Sequence, residues 1–173
     1  MSTPFDQTLE FRFCPKCSSR LVWKRLKDHE PERMVCKKCE FVLFQDPKLA
    51  AGTLFQVGDE LVLLRRAIDP GYGKWVFPGG FVDRGETVVD AAIRETREEA
   101  NVDVGIRGLI DVYSYSGSPV VVVVYAADIL GGELKAADET LEVKRFDADN
   151  IPWDELAFPS TRDALTAYIS RFL

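Results

Sequence analysis

The chain has 173 residues, 46% of them hydrophobic and 29% charged, which is material for one good core plus a small appendage and too apolar for a disordered chain. No apolar run approaches the roughly 20 residues that cross a bilayer. Residues 1–10 carry neither a basic n-region nor an apolar stretch, so a cytoplasmic protein without membrane contact is expected. The net charge of −6 is unevenly divided: residues 10–45 hold nine Lys/Arg against five Asp/Glu, and residues 46–173 hold thirteen against twenty-two. An acidic body argues against nonspecific nucleic-acid binding as the main task, because that requires neutralising phosphates; the basic front leaves a weaker contact of that kind open.

In chain order, the first element is a small domain expected over residues 10–45. All four cysteines fall in two C-x-x-C pairs, Cys14-Pro15-Lys16-Cys17 and Cys36-Lys37-Lys38-Cys39, eighteen residues apart. That spacing predicts a zinc ribbon in which Cys14, Cys17, Cys36 and Cys39 hold one Zn²⁺. A disulfide framework is the competing use of four cysteines, but it belongs to exported chains; redox chemistry is a third. Four protein ligands close the site to substrate, so the zinc is structural and supplies folding energy that some thirty residues cannot bury for themselves. His29, among Lys27, Asp28, Glu30 and Pro31, reads as a solvated turn residue rather than a ligand.

Gln45-Asp46-Pro47 reads as a linker into a second domain over residues 46–173. Strands are predicted at 49–57, 60–65, 106–116, 119–129 and 143–147, with Gly58-Asp59 as a hairpin turn. The five valines from Val120 to Val124 suggest a strand buried on both faces. Helices are predicted at 86–100 and 160–172, the second with a cap offered by Pro159-Ser160-Thr161 and an apolar stripe of Leu165, Tyr168, Ile169 and Phe172.

The helix at 86–100 concentrates the chemistry. Val89, Ala92, Ile93, Thr96 and Ala100 share one face, while Glu95, Glu98 and Glu99 cluster on the other. A solvated acidic face is the plain reading of such a helix. A site for a hard divalent cation, and with it a phosphate-bearing substrate, is the sharper one. Upstream, Trp75-Val76-Phe77-Pro78-Gly79-Gly80 delivers a strand into a Pro-Gly-Gly turn, where the missing Cβ atoms let backbone approach a ligand and the Gly79 carbonyl can join the carboxylates.

These residues resemble the Nudix box, G-x5-E-x7-R-E-U-x-E-E-x-G-U with U a bulky aliphatic: Gly80, Glu86, Arg94, Glu95, Glu98, Glu99 and Val102 match in place. Thr96 stands where the box has an aliphatic residue and Asn101 where it has glycine. Thr96 still lies on the packing face, and Asn tolerates the left-handed conformation of a helix C-cap. The resemblance implies an α/β fold, a Nudix α/β/α sandwich around a mixed sheet, and hydrolysis of a nucleoside diphosphate linked to another group. It makes Glu95, Glu98 and Glu99, with the Gly79 carbonyl, the ligands of Mg²⁺ or Mn²⁺. Arg94 then orients the carboxylates, while Gly80 and Glu86 are structural; Glu86 has metal binding as its alternative. A further carboxylate is expected from Glu139 or Glu142, with Glu139 favoured and a solvated loop as the plain alternative.

A zinc ribbon ahead of such a domain is similar to the NADH pyrophosphatases and to the FAD/ADP-ribose pyrophosphatases. The NADH branch carries S-Q-P-W-P-F-P-x-S downstream, where this chain has Ser114-Tyr115-Ser116-Gly117-Ser118-Pro119, so ADP-ribose or FAD is the expected substrate. Capped RNA through the basic ribbon, with Trp23 as its aromatic, and a noncatalytic nucleotide sensor are the other readings. Tyr113, Tyr115, Phe158 and Phe55 are stacking candidates or core residues, and residues 151–158 offer a pocket wall. A homodimer is expected, with the ribbon and the strand at 49–57 as its contact.

Overall fold

The computed structural model describes residues 11–173, so the reading of residues 1–10 and the first position of the predicted ribbon lie outside the described residues. The chain divides into two compact units, one ending at Pro47 and one spanning Lys48–Leu173.

In the first unit, β1 (Leu21–Lys24), β2 (Arg33–Cys36) and β3 (Val42–Leu43) form an antiparallel sheet in that order. Each C-x-x-C pair makes a tight knuckle: Lys16 N–H points at Cys14 Sγ (3.4 Å) and Lys38 N–H at Cys36 Sγ (3.4 Å). Ser18 and Glu40 leave the knuckles at φ 57°. The small core is Cys14, Leu21, Met34 and Cys36 with Phe41 and Leu43 against it. Two of its four buried members are thiols of the C-x-x-C pairs, which shows how little apolar surface the unit can bury.

The second unit contains β4 (Lys48–Leu54), β5 (Gln56–Val57), β6 (Glu60–Arg66), β7 (Trp75–Val76), β8 (Gly79–Phe81), α1 (Val88–Ala100), β9 (Val102–Ser114), β10 (Val120–Gly132), β11 (Thr140–Phe146) and α2 (Pro159–Phe172). A mixed sheet runs β8-β4-β10-β9, with β4 and β10 parallel and the outer pairs antiparallel. A second sheet runs β11-β6-β5, with β7 also on β6. Alternate residues of β6 serve two cores. Leu61 and Leu63 join Ala164, Leu165 and Tyr168 of α2, while Val62 and Leu64 join Ala100 and Ile93 of α1. The two helices therefore cover opposite faces, the sandwich that the box resemblance implied.

Three sequence expectations change in detail. The single strand read at 49–57 is two: Phe55, fully buried, marks the step from β4 in one sheet to β5 in the other, so Phe55 is core and not a stacking platform. The α2 cap expected from Ser160 or Thr161 is absent; Phe158 is the N-cap without a side-chain bond, Pro159 starts the helix, and Ser160 and Thr161 are buried. The valine run lies in β10, paired on both sides, although only Val123 and Val124 of the five are buried.

Candidate active site

The glutamate helix begins at Thr87, whose hydroxyl accepts from Asp90 N–H (3.1 Å), and ends at Asn101, left-handed at φ 56°. Asn101 Nδ2 donates to the Glu133 carbonyl (2.8 Å), a use of the side chain that glycine at this cap lacks. Thr96, fully buried, donates to the Ala92 carbonyl (2.7 Å) and accepts from Thr53 Oγ1 (2.7 Å), so the hydroxyl replacing an aliphatic group is satisfied inside the core.

On the other side of α1, Arg94 organises three carboxylates. Its Nε and Nη2 form a fork on Glu86 (2.8 and 3.0 Å), and its Nη1 reaches Glu95 (2.8 Å) and Glu98 (2.9 Å). The fork holds the Glu86 carboxyl below the usual carboxylate range, and Asp83 N–H adds to the effect. A further bond from Arg94 Nη2 to the Phe81 carbonyl (3.2 Å) ties the helix to β8. Glu95 lies against the Gly80 Cα: a Cβ there would stand 2.5 Å from the Glu95 carboxylate, so only glycine admits this approach.

Glu99 is 9% exposed and accepts from Gly79 N–H (2.9 Å). Burial pushes its carboxyl up to about 7, against the Gly79 hydrogen bond and the Arg66 charge, which favour the ionised form. Burial also raises Glu95, with Arg94 opposing. The negative charge of Glu139, exposed at the loop into β11, acts on both Glu95 and Glu99. Glu142 instead lies toward Arg65 (3.7 Å). The residues suit a hard divalent cation. Every donor is an oxygen, and a bound cation would hold the buried Glu99 ionised.

Arg66, at the end of β6, escaped the sequence reading. Half-buried, it lies within the fields of Glu99, Glu139 and Asp69, which oppose the lowering of its pKa by burial. Its Nε donates to the Pro70 carbonyl (2.9 Å), and its guanidinium sits 5.1 Å over the Phe158 ring. Phe158 in turn lines a cavity of about 310 Å³ with Trp153, Asp154, Leu156, Ala157, Pro159, Arg162 and Asp163. Arg66 thus links the carboxylates to the predicted pocket wall. In sequence it is the second of two adjacent arginines, with nothing to mark it.

The tyrosines divide. Tyr115 donates to Asp163 (2.6 Å), a cavity residue, whereas Tyr113 packs on the core below α2 with its hydroxyl buried and unpartnered. Burial pushes the Tyr113 phenol up to about 12.

In the first unit the four Sγ atoms lie within 4.8 Å of one another, with Cys14 to Cys39 at 3.6 Å, Cys17 to Cys36 at 3.5 Å and Cys17 to Cys39 at 3.4 Å. Tetrahedral zinc thiolates at roughly 2.3 Å stand about 3.8 Å apart, so the quartet fits one Zn²⁺ after slight expansion. His29 is exposed and outside the quartet.

Comparison with known proteins agrees with this layout. The NUDIX domain family model matches residues 46–168, and the Nudix N-terminal zinc-ribbon model matches residues 12–45. An ADP-ribose pyrophosphatase of Methanocaldococcus jannaschii is 35% identical over 123 residues, 69% of this chain and 72% of that protein. The NAD-capped RNA hydrolase NudC of Pseudomonas aeruginosa is 28% identical over 165 residues, 92% of this chain; the chain spans only 56% of that relative. The crystal structure of a NUDIX hydrolase from Nitrosomonas europaea superposes with a TM-score of 0.87 at 35% identity, covering 93% of this chain and 92% of that one. The described residues contain no helix long and apolar enough to cross a membrane. With box, sandwich and ribbon all in place, the chain belongs to the Nudix hydrolase family, in the form that carries an N-terminal zinc ribbon.

Proposed function

We propose that the chain hydrolyses the diphosphate bridge of a nucleoside diphosphate derivative, ADP-ribose or FAD first, with Mg²⁺ or Mn²⁺ held by Glu95, Glu98, Glu99 and the Gly79 carbonyl. The observation that carries this reading is the buried Glu99 carboxylate on the Gly79 N–H, beside a Glu95 and a Glu98 that Arg94 holds together. A divalent ion bound there would neutralise the diphosphate and acidify the attacking water. Arg94 sets the carboxylates in register, Gly80 leaves room for Glu95, and Glu139 is the proposed additional carboxylate and proton acceptor. Phe158 and Arg66 offer an apolar face and a cation to the nucleotide, and Tyr115 steadies the cavity through Asp163; Tyr113 is placed with the core in this reading. Zn²⁺ is structural, and the working form is a cytoplasmic homodimer, which light scattering checks.

The likeness to the M. jannaschii ADP-ribose pyrophosphatase supports the substrate class. The alignment with the NAD-capped RNA hydrolase runs through the ribbon and favours capped RNA or NADH as the second reading. A panel of ADP-ribose, FAD, NADH and NAD-capped RNA with each metal tests the order: ADP-ribose or FAD is expected to give the highest kcat/KM. A protein that binds these compounds and turns over none of them is the noncatalytic sensor instead.

A further inference from the structure

The ribbon sheet has two faces. Leu21, Met34 and Cys36 turn toward the cysteine quartet. On the opposite face the register sets Lys24 beside Arg33, and Arg20 beside Phe13. Phe44 joins them, with the Arg33 guanidinium 4.8 Å over its ring. Phe13 is 59% exposed and Phe44 57%, an unusual state for phenylalanine in a unit so short of core. Between them runs a row centred on the buried Val35. The row of Phe44 and the row of Phe13 stand four residues apart along the strands, roughly 13 Å. None of the positions that the register puts on this face is acidic.

We propose that this face binds single-stranded RNA, the two phenylalanines stacking on bases and Arg20, Lys24 and Arg33 meeting phosphates. Stacking on an aromatic face beside a cationic track is the physics of sequence-tolerant single-strand binding. The two phenylalanines also stand on opposite edges of the sheet, three strand spacings or about 14 Å across, so the platforms are roughly 20 Å apart on the diagonal, which suits an extended strand better than one mononucleotide. The electrostatics agree: residues 10–45 carry an excess of four cations, of which a zinc tetrathiolate takes back two, while residues 46–173 carry an excess of nine anions. An anionic strand is therefore drawn to the ribbon and not to the body at large. Trp23, the aromatic that the sequence offered for this role, lies on the other face, opposite Met34. The choice of RNA rests on the capped-RNA reading above, in which the ribbon holds the strand and the Nudix unit of the same chain acts on its diphosphate end.

The test is fluorescence anisotropy of a labelled 12-nucleotide RNA with the full chain, without added Mg²⁺ or Mn²⁺. Binding is expected with a log–log salt slope near −2, about 0.7 for each of three phosphate contacts. Lys24→Gln with Arg33→Gln cuts the slope by about 1.4, and Phe44→Ala weakens binding about tenfold. Both variants keep their zinc and their rate on ADP-ribose within twofold. No binding at 50 mM salt, unchanged binding by the variants, or tighter binding of the same sequence as DNA overturns the proposal. Preference for anionic vesicles that RNA does not displace also overturns it. Lost RNA binding with ADP-ribose hydrolysis intact removes this surface alone; absent hydrolysis with RNA binding intact removes the catalytic reading alone.

Discussion

In the ribbon four thiols close on one another within 4.8 Å, whereas in the Nudix unit each box glutamate faces a protein partner: Glu95 and Glu98 share Arg94, and Glu99 takes the Gly79 N–H. The ribbon core is built around its own ligands, so its donors must converge for the unit to fold at all. The Nudix unit has two extensive apolar cores that contain no metal donor, so its carboxylates are free to answer to catalysis. One site is closed and soft; the other is open and hard, with its charges balanced by an arginine and a backbone amide.

The largest difference between the two sites appears on removing one ligand. Cys36→Ser is expected to abolish zinc binding and with it the ribbon's cooperative unfolding transition, because structural zinc contributes on the order of 10 kcal/mol to such units; zinc stoichiometry and calorimetry follow both. A ribbon that melts unchanged without zinc would erase the distinction. Next, Arg94→Ala is expected to lower kcat/KM by roughly 10- to 100-fold, the cost of losing a group that orients metal ligands, while zinc content stays at one per chain.

The third difference is pH. The Glu99 carboxyl sits at about 7 in the folded chain against an ordinary 4.5, so the folded state holds that proton more tightly. Its contribution to stability is full below 4.5 and is lost as pH rises to about 7, provided no divalent ion is added. Mn²⁺ competes with the same proton, so its apparent affinity climbs over that window and levels above it. Thermal melts and Mn²⁺ titrations read the two trends, and Glu99→Gln removes the stability loss. The smallest effect belongs to the pocket edge: Phe158→Ala is expected to raise KM for ADP-ribose about threefold to tenfold, in line with roughly 1 kcal/mol for an aromatic contact. A rise below twofold places Phe158 with the core.

Much of this was legible because α1 carries its information locally. The period of Ala92, Ile93, Thr96 and Ala100 fixes the packed face, although Val89, read on that face, is 37% exposed at the first turn and Ala91 is buried instead; Asn101 marks the cap, and the cysteine spacing marks the ribbon. What escaped depends on contacts distant in sequence. Thr96 is satisfied by Thr53, 43 residues away, and Tyr115 reaches Asp163 over 48. Which of Arg65 and Arg66 turns inward depends on the phase of β6 and on the loop that closes at Gly73 over the Arg66 carbonyl (2.9 Å). The apolar run through Phe55 hides a change of sheet, since both sheets demand the same residue types.

The central claim, that the α1 carboxylates hold the ion that drives diphosphate hydrolysis, is tested most directly with Glu98→Gln. Glu98 is half exposed, and its replacement by an isosteric amide spares the fold. Mn²⁺ affinity and AMP release from ADP-ribose are measured on the same preparation. Both are expected to fall together, the rate by more than the roughly 100-fold of an outer-shell loss. AMP release at the wild-type rate would contradict the account.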